Sequence, residues 1–204
     1  MNKILKNMNK GIDISAYQKN IDFNRVKKHG ISFVFIKATE GTGNFNLKQD
    51  IEQAKGAKAA GLSIGFYHFA KGNDAKTEAD TFIRFVRAIE KEVGKADFPL
   101  ALDIEGANIV FKGAAFDKCV LSFENRLKEH GYKMWIYSYA PYLNNRSNGG
   151  LTHIPLWIAS YPAVFNPAIK PKLPKGWSSF VCWQYSVTDS VDGINGRVDL
   201  NVIL

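Results

Sequence analysis

The sequence predicts a single-domain α/β barrel of eight strands and about five helices, the late crossovers being loops. Three observations predict it. Apolar, strand-like runs alternate with helical stretches as far as Ser138, and glycines close the predicted helices at Gly30, Gly61, Gly94 and Gly131. That alternation argues for parallel strands joined by crossover helices. Acidic residues also recur at or near the ends of predicted strands, the end of a barrel where sites are built.

The elements follow in order. Gly11-Ile12-Asp13-Ile14-Ser15 reads as a short first strand. Asp22 is the candidate N-cap of a helix running through Val26 to Gly30. Ile31–Lys37 is rich in β-branched and aromatic residues, hence a strand, and it enters the glycine-rich loop Ala38–Gly43. Gln49–Ala60 is alanine-rich and helical, and Leu62–Ala70 forms the third strand. Asp74 opens an amphipathic helix in which Phe82, Phe85, Val86 and Ile89 fall at i, i+3, i+4 and i+7. Phe98–Glu105 is the fourth strand. Phe116, Val120, Phe123 and Leu127 share one stripe of the next helix, and Lys133–Ser138 is the fifth strand. Beyond Pro141 the period changes: Pro155–Ser160, Phe180–Tyr185 and Gly196–Val202 read as strands. Tyr161–Lys175 holds four of the seven prolines, so little of it can be helix.

At 204 residues, 46% hydrophobic and 23% charged, the chain has the composition of one ordinary globular domain. The formal charge of +8 favours polyanionic partners: nucleic acid, anionic polymers or bacterial cell wall. The basic residues are scattered, without an arginine-rich tract, so nucleic acid ranks last. Cys119 and Cys182 lie far apart in apolar settings and read as buried, reduced thiols. His29, His68, His130 and His153 lack ligand spacing, so no metal site is expected; His68 reads as a packed or hydrogen-bonded core histidine. No run reaches transmembrane length, and Ile4-Leu5 is too short for a signal-peptide core. The expectation is synthesis in a host cytoplasm without a signal peptide, no membrane insertion, and action outside by another route. Residues 1–10 are expected to form a flexible extension, with the barrel spanning 11–204.

The candidate chemistry centres on Phe98–Gly106. Asp103 and Glu105 are spaced i, i+2 and would project from one face of a strand. Two close carboxylates in a partly apolar site cannot both ionise easily, so one pKa rises, as a general acid near neutral pH requires. Asp13, Glu40 and Asp199 stand at or near other strand ends. The structural alternative for each is a solvated strand end or a hydrogen-bonding partner. Gly61-Leu62-Ser63-Ile64-Gly65 fits a nucleophile-elbow pattern, but Ser63 precedes a strand, which is the wrong order for that motif.

Eight segments, in order, carry a resemblance. They are Gly11-Ile12-Asp13-Ile14-Ser15, Phe35–Gly41, Gly65–Phe69, Leu102–Glu105, Trp135–Ser138, Leu156–Ala159, Trp183–Tyr185 and Val198–Asn201. Together they resemble the family-25 glycoside hydrolases, the Chalaropsis-type and phage-type lysozymes. The resemblance implies a TIM-like (β/α)5(β)3 barrel and hydrolysis of peptidoglycan glycan strands at the β-1,4 bond between N-acetylmuramic acid and N-acetylglucosamine. It implies no cofactor, and a monomer is expected. Glu105 matches the catalytic glutamate; Asp103, Asp13 and Asp199 match the acidic residues around it. Tyr67, Tyr137, Trp157 and Gln184 match cleft-lining positions, although an aromatic on a barrel strand is often plain core. Lys37 and Glu40 are assigned to an internal ion pair beside the site, in a binding or a structural role. Many relatives carry a wall-binding module; with the sequence given stopping soon after Asp199, the expectation is either a catalytic domain cut from a longer protein or one that relies on its own positive charge to find an anionic wall. The alternatives are a chitinase-like glycosidase, disfavoured by Leu100 and Ala101 where further carboxylates would stand, and a non-catalytic wall-binding barrel, free to lose Glu105.

Overall fold

The computed structural model describes residues 8–204. Its strands are β1 (Asn9–Ile14), β2 (Ile31–Glu40), β3 (Ser63–Phe69), β4 (Leu100–Asp103), β5 (Met134–Tyr139), β6 (Leu156–Ala159), β7 (Cys182–Asp189) and β8 (Val198–Ile203). They close into one barrel in sequence order. The helices are α1 (Phe23–Lys28), α2 (Leu47–Ala59), α3 (Ala75–Val93), α4 (Ala114–Glu129) and α5 (Ala140–Arg146). The first five strands are each followed by a helix and the last three are not, which is the expected (β/α)5(β)3 layout. Among the described residues no helix is long and apolar enough to cross a membrane.

Local chemistry sets the helix starts. The Asp22, Asn46 and Asp74 side chains accept from Arg25, Gln49 and Thr77 backbone N–H groups, filling donors that a first helical turn leaves unpaired. Asn46 starts α2 two residues before the alanine-rich pattern predicts. α5 is the helix that sequence periodicity does not locate. It is short, and Pro141 sits in its first turn, where a missing N–H costs nothing.

The strand directions differ from expectation at one place. Pairs β1–β2 through β6–β7 are parallel, but β8 runs antiparallel to both β7 and β1. Residues 190–197 form the link between β7 and β8, too short for the crossover that a parallel return needs. The start of β8 therefore lies at the same mouth as the ends of β1–β7. The barrel also begins earlier than predicted: Asn9 pairs with Ile203 and Lys10 with Val202, and Met8 packs partly buried against the core, while residues 1–7 of the expected extension lie outside the described residues.

Apolar residues fill two compartments. Between strands and helices pack side chains such as Ile12, Val34, Phe66, Phe82, Val86 and Phe116. Inside the barrel lie Phe33, Phe35, Trp135, Tyr137 and Trp157, with the Phe35 and Trp157 rings 4.5 Å apart. These rings need room, and glycine provides it. Gly11 pairs with Phe33 and Gly65 with Phe35, and a Cβ on either glycine would overlap the neighbouring ring. The inner aromatics block the barrel below its mouth, so the site is a pit above a packed core.

Candidate active site

A cavity of about 210 Å³ opens at the barrel mouth. Of the ten residues singled out from sequence, nine line it: Asp13, Lys37, Tyr67, Asp103 and Glu105 from the first half of the chain, and Tyr137, Trp157, Gln184 and Asp199 from the second. Glu40 does not. It lines an adjoining depression that shares Lys37 with the cavity. Asp199 reaches the mouth from the start of β8, its antiparallel direction replacing the expected strand end.

Glu105 is not on a strand. β4 ends at Asp103, and the backbone there leaves the sheet. Its course is fixed by neighbours: Ile104 N–H donates to the Tyr137 carbonyl at 3.0 Å. Ser138 Oγ donates to the Ile104 carbonyl at 2.7 Å, and Tyr142 Oη to the Gly106 carbonyl at 3.1 Å. The carbonyls on both sides of Glu105 are thus held by hydroxyls of β5 and α5. The Glu105 side chain, half-buried, accepts no hydrogen bond from the described residues.

A buried amide network holds the opposite wall. Gln184 Oε1 accepts from Tyr137 Oη at 2.7 Å and Tyr161 Oη at 2.6 Å. That leaves its Nε2 to donate to Asp13 Oδ2 at 2.8 Å and Asp199 Oδ2 at 3.3 Å. Asn201 Nδ2 also donates to Asp13 Oδ2 at 2.7 Å, and its Oδ1 accepts from Trp157 Nε1 at 2.8 Å. Trp157 is only 1% exposed, so its main part is packing and fixing Asn201. Sequence reasoning missed Tyr161 and Asn201. Asn201 could have been found, because it follows Asp199 at i, i+2 on the same strand face; Tyr161 lies in a proline-rich loop with no periodic signal.

Lys37 and Glu40 form the expected ion pair at 2.8 Å, and Lys71 Nζ approaches the other Glu40 oxygen at 2.8 Å. Burial opposes ionisation of Glu40, but the two ammonium groups outweigh it and hold its carboxyl below the usual range. His68 is core, as expected: fully buried, its Nδ1 2.7 Å from Thr39 Oγ1 and its Nε2 2.8 Å from Glu78 Oε2. Burial keeps it neutral against the pull of Glu78.

The four carboxyls at the mouth are all pushed toward protonation. Burial raises Asp13, partly offset by the Asn201 and Gln184 amides. Burial, then the charges of Glu105 and Asp13, raises Asp103 well above the ordinary range. Burial and the Asp13 charge raise Glu105. Asp199 is pushed up to about 7 by burial, the Asp13 charge and a hydrogen bond with Asp13. One Asp103 oxygen, Oδ1, is buried without a hydrogen-bond partner among the described residues. Such a site can hold a proton for transfer while keeping negative charge next to it.

Residues 12–194 match the family described as glycosyl hydrolases family 25. The chain is 37% identical over 196 residues to the autolytic lysozyme of Clostridium acetobutylicum, covering 94% of this chain and 55% of that protein. It is 32% identical over 204 residues to lysozyme M1 of Streptomyces globisporus, covering 94% and 66%. The chain therefore spans little over half of the first relative and just under two thirds of the second. The bacterial lysozyme from Streptomyces coelicolor superposes with a TM-score of 0.78 at 29% identity, covering 96% of this chain and 91% of that one. With this match across nearly the whole barrel, the chain belongs to glycosyl hydrolase family 25.

Proposed function

We propose that this chain is a peptidoglycan hydrolase that cleaves the β-1,4 bond between N-acetylmuramic acid and N-acetylglucosamine. The observation that carries the reading is the convergence of Asp13, Asp103, Glu105 and Asp199 on one cavity, each carboxyl raised. Membership of the family supports it, as do relatives named lysozymes. Glycoside hydrolysis passes through an oxocarbenium-like transition state and needs one carboxyl to protonate the leaving oxygen while another group supplies negative charge.

Glu105 is assigned as the proton donor. It is half-buried at the cavity and free of protein hydrogen bonds among the described residues, and burial with the Asp13 charge keeps its proton above the usual carboxyl range. Asp103 is assigned the stabilising or orienting role. Its unpaired buried oxygen calls for a donor, and the acetamido N–H of a bound sugar supplies one. Asp13 and Asp199 tune the proton affinity of Glu105 and hold sugar hydroxyls, with Tyr67 and Tyr137 as further sugar contacts. Side chains alone carry the assigned reaction, by a monomer acting on glycan strands of the bacterial wall.

Mass spectrometry of peptidoglycan digests from the wild type and Glu105→Gln tests this. Reducing-end N-acetylmuramic acid from the wild type only would fix both the bond and the acid. Unchanged product from the variant would remove Glu105 from the mechanism. No product from either, with wall binding intact, would favour a binding barrel.

A further inference from the structure

Charge is unevenly spread along the chain. Residues 130–188 contain no aspartate or glutamate, but they hold Lys133, Arg146, Lys170, Lys172 and Lys175. Five of the eight net positive charges thus arise in less than a third of the sequence. Three of the five fall on residues 160–181, the link from β6 to β7. That link carries no helix and, because the two strands are parallel, runs from the barrel mouth back to its base.

The link is built to turn its lysines outward. Pro167, Pro171 and Pro174 are buried, while Lys170, Lys172 and Lys175 between and after them are exposed. Each proline fixes its own φ, which stiffens the segment. Two hydrogen bonds fasten its lower part: Lys175 N–H donates to Asn144 Oδ1 at 2.8 Å, and Trp177 Nε1 to the Ile154 carbonyl at 3.1 Å. None of the three ammonium groups meets a carboxylate among the described residues. Lys48, Lys55 and Lys128, on helices elsewhere, meet Glu52, Glu92 and Glu124.

Lys175 also lines a pocket of about 360 Å³ with Asn144, Ser147, Asn148, Thr152 and Trp177. The pocket shares no residue with the catalytic cavity, and no acid lines it. Asn144 Oδ1 is already engaged by Lys175 N–H, and Ser147 Oγ accepts from Gly149 N–H at 2.9 Å. The Asn144 amide N–H₂ and the Ser147 hydroxyl proton are left to donate. Asp117 stands behind the turn at 148–150, where it accepts from the Asn148 and Gly150 N–H groups at 3.1 Å. One ammonium beside neutral donors suits an anion.

We propose that this flank of the barrel binds a phosphodiester-linked anionic polymer of the wall, a polyol phosphate. One phosphate sits in the pocket at Lys175, and its neighbours lie along Lys172 and Lys170. Lysine serves phosphate as a point charge, and a row of them on a stiff segment matches a repeating anion. Single-stranded nucleic acid fits less well, because it needs exposed rings for stacking; here Trp177 is buried and Phe180 packs against the core. The wall as the place of encounter rests on the proposed function. The flank is separate from the mouth, so polymer and glycan strand can be held together.

Titration calorimetry of the full chain with poly(glycerol phosphate) at low ionic strength tests this. The triple variant Lys170→Gln, Lys172→Gln and Lys175→Gln should bind about tenfold more weakly than the wild type. Lys48→Gln, Lys55→Gln and Lys128→Gln together remove the same charge from paired sites and should weaken binding only about twofold. Lys175→Gln alone should cost more than Lys170→Gln alone; any other order would take the phosphate out of the pocket. Unfolding midpoints separate these effects from misfolding. Equal loss in the two triple variants, or no loss in the first, would overturn the site and leave net charge alone. Tighter binding of a DNA oligonucleotide than of the polymer, lost in the first triple variant, would overturn the polymer in favour of nucleic acid. Absence of hydrolysis by the wild type, with lysine-dependent polymer binding intact, would overturn the assigned reaction and leave this site standing.

Discussion

Asp13 and Asp199 stand directly opposite each other on the antiparallel β1–β8 pair, and one Gln184 amide donates to both. Like charges so placed destabilise a sheet, and the fold relieves this by keeping a proton. An unfolded aspartate loses its proton near 3.8, whereas folded Asp199 holds it to about 7. Across that interval the folded state binds more protons, so stability falls as pH rises. Asp199→Asn does not titrate. It should raise the unfolding midpoint at pH 8 by about 2–4 °C and leave it unchanged near pH 4, while lowering activity. Calorimetry at the two pH values checks it; an equal shift at both would assign the effect to packing.

The Asp13 charge is the second cause, after burial, that raises the Glu105 carboxyl above its ordinary range. Asp13→Asn should therefore move the alkaline limb of the kcat/KM profile toward lower pH, by about 1 unit. A pH–rate series on solubilised peptidoglycan reads this directly. A limb that stays put would separate Glu105 from Asp13 electrostatically.

Glu105 owes its position to hydrogen bonds on the carbonyls either side of it. Removing the Tyr142 hydroxyl with Tyr142→Phe takes away one of the two donors to the Gly106 carbonyl, leaving Ile109 N–H, and keeps the ring in its packing. The expected result is a fall in kcat of about tenfold with KM little changed. Steady-state kinetics distinguishes this from a merely structural role, which would lower stability and spare kcat.

Glu78 accepts from His68, from the backbone N–H groups of Lys71 and Asn73, and from the Asn73 side chain. Burial opposes its charge, but these donors outweigh it and hold its carboxyl below 4.5. The stability it supplies is present above that pH and lost as pH falls through the folded value. Glu78→Gln turns an amide N–H₂ toward these donors and should destabilise the fold by about 2–3 kcal/mol at pH 7. Urea melts measure it, and a smaller loss below pH 4 is the accompanying sign.

Most of the barrel was legible because its signals are local. Glycines closing helices, alternating runs and carboxylates at run ends are all visible within a dozen residues. Chain direction at β8 was not, since only the length of the β7–β8 link and its pairing with β1 decide it. Asp13 and Asp103 were found as strand-end acids. Glu105 was found for a partly wrong reason, because the strand stops at Asp103 and hydroxyls from β5 and α5 do the positioning. Those hydroxyls, like Tyr161 on Gln184, act across 23 to 36 residues of sequence. No periodic pattern encodes contacts of that kind.

The β1–β8 pairing has one practical outcome. Asn9 lies against Ile203 at the base of the barrel, while Asp13 and Asp199 face each other at its opening. A tether attached at either of those base strand ends hangs from the underside, so protein anchored to a bead or surface by that point would keep its opening turned outward to particulate material.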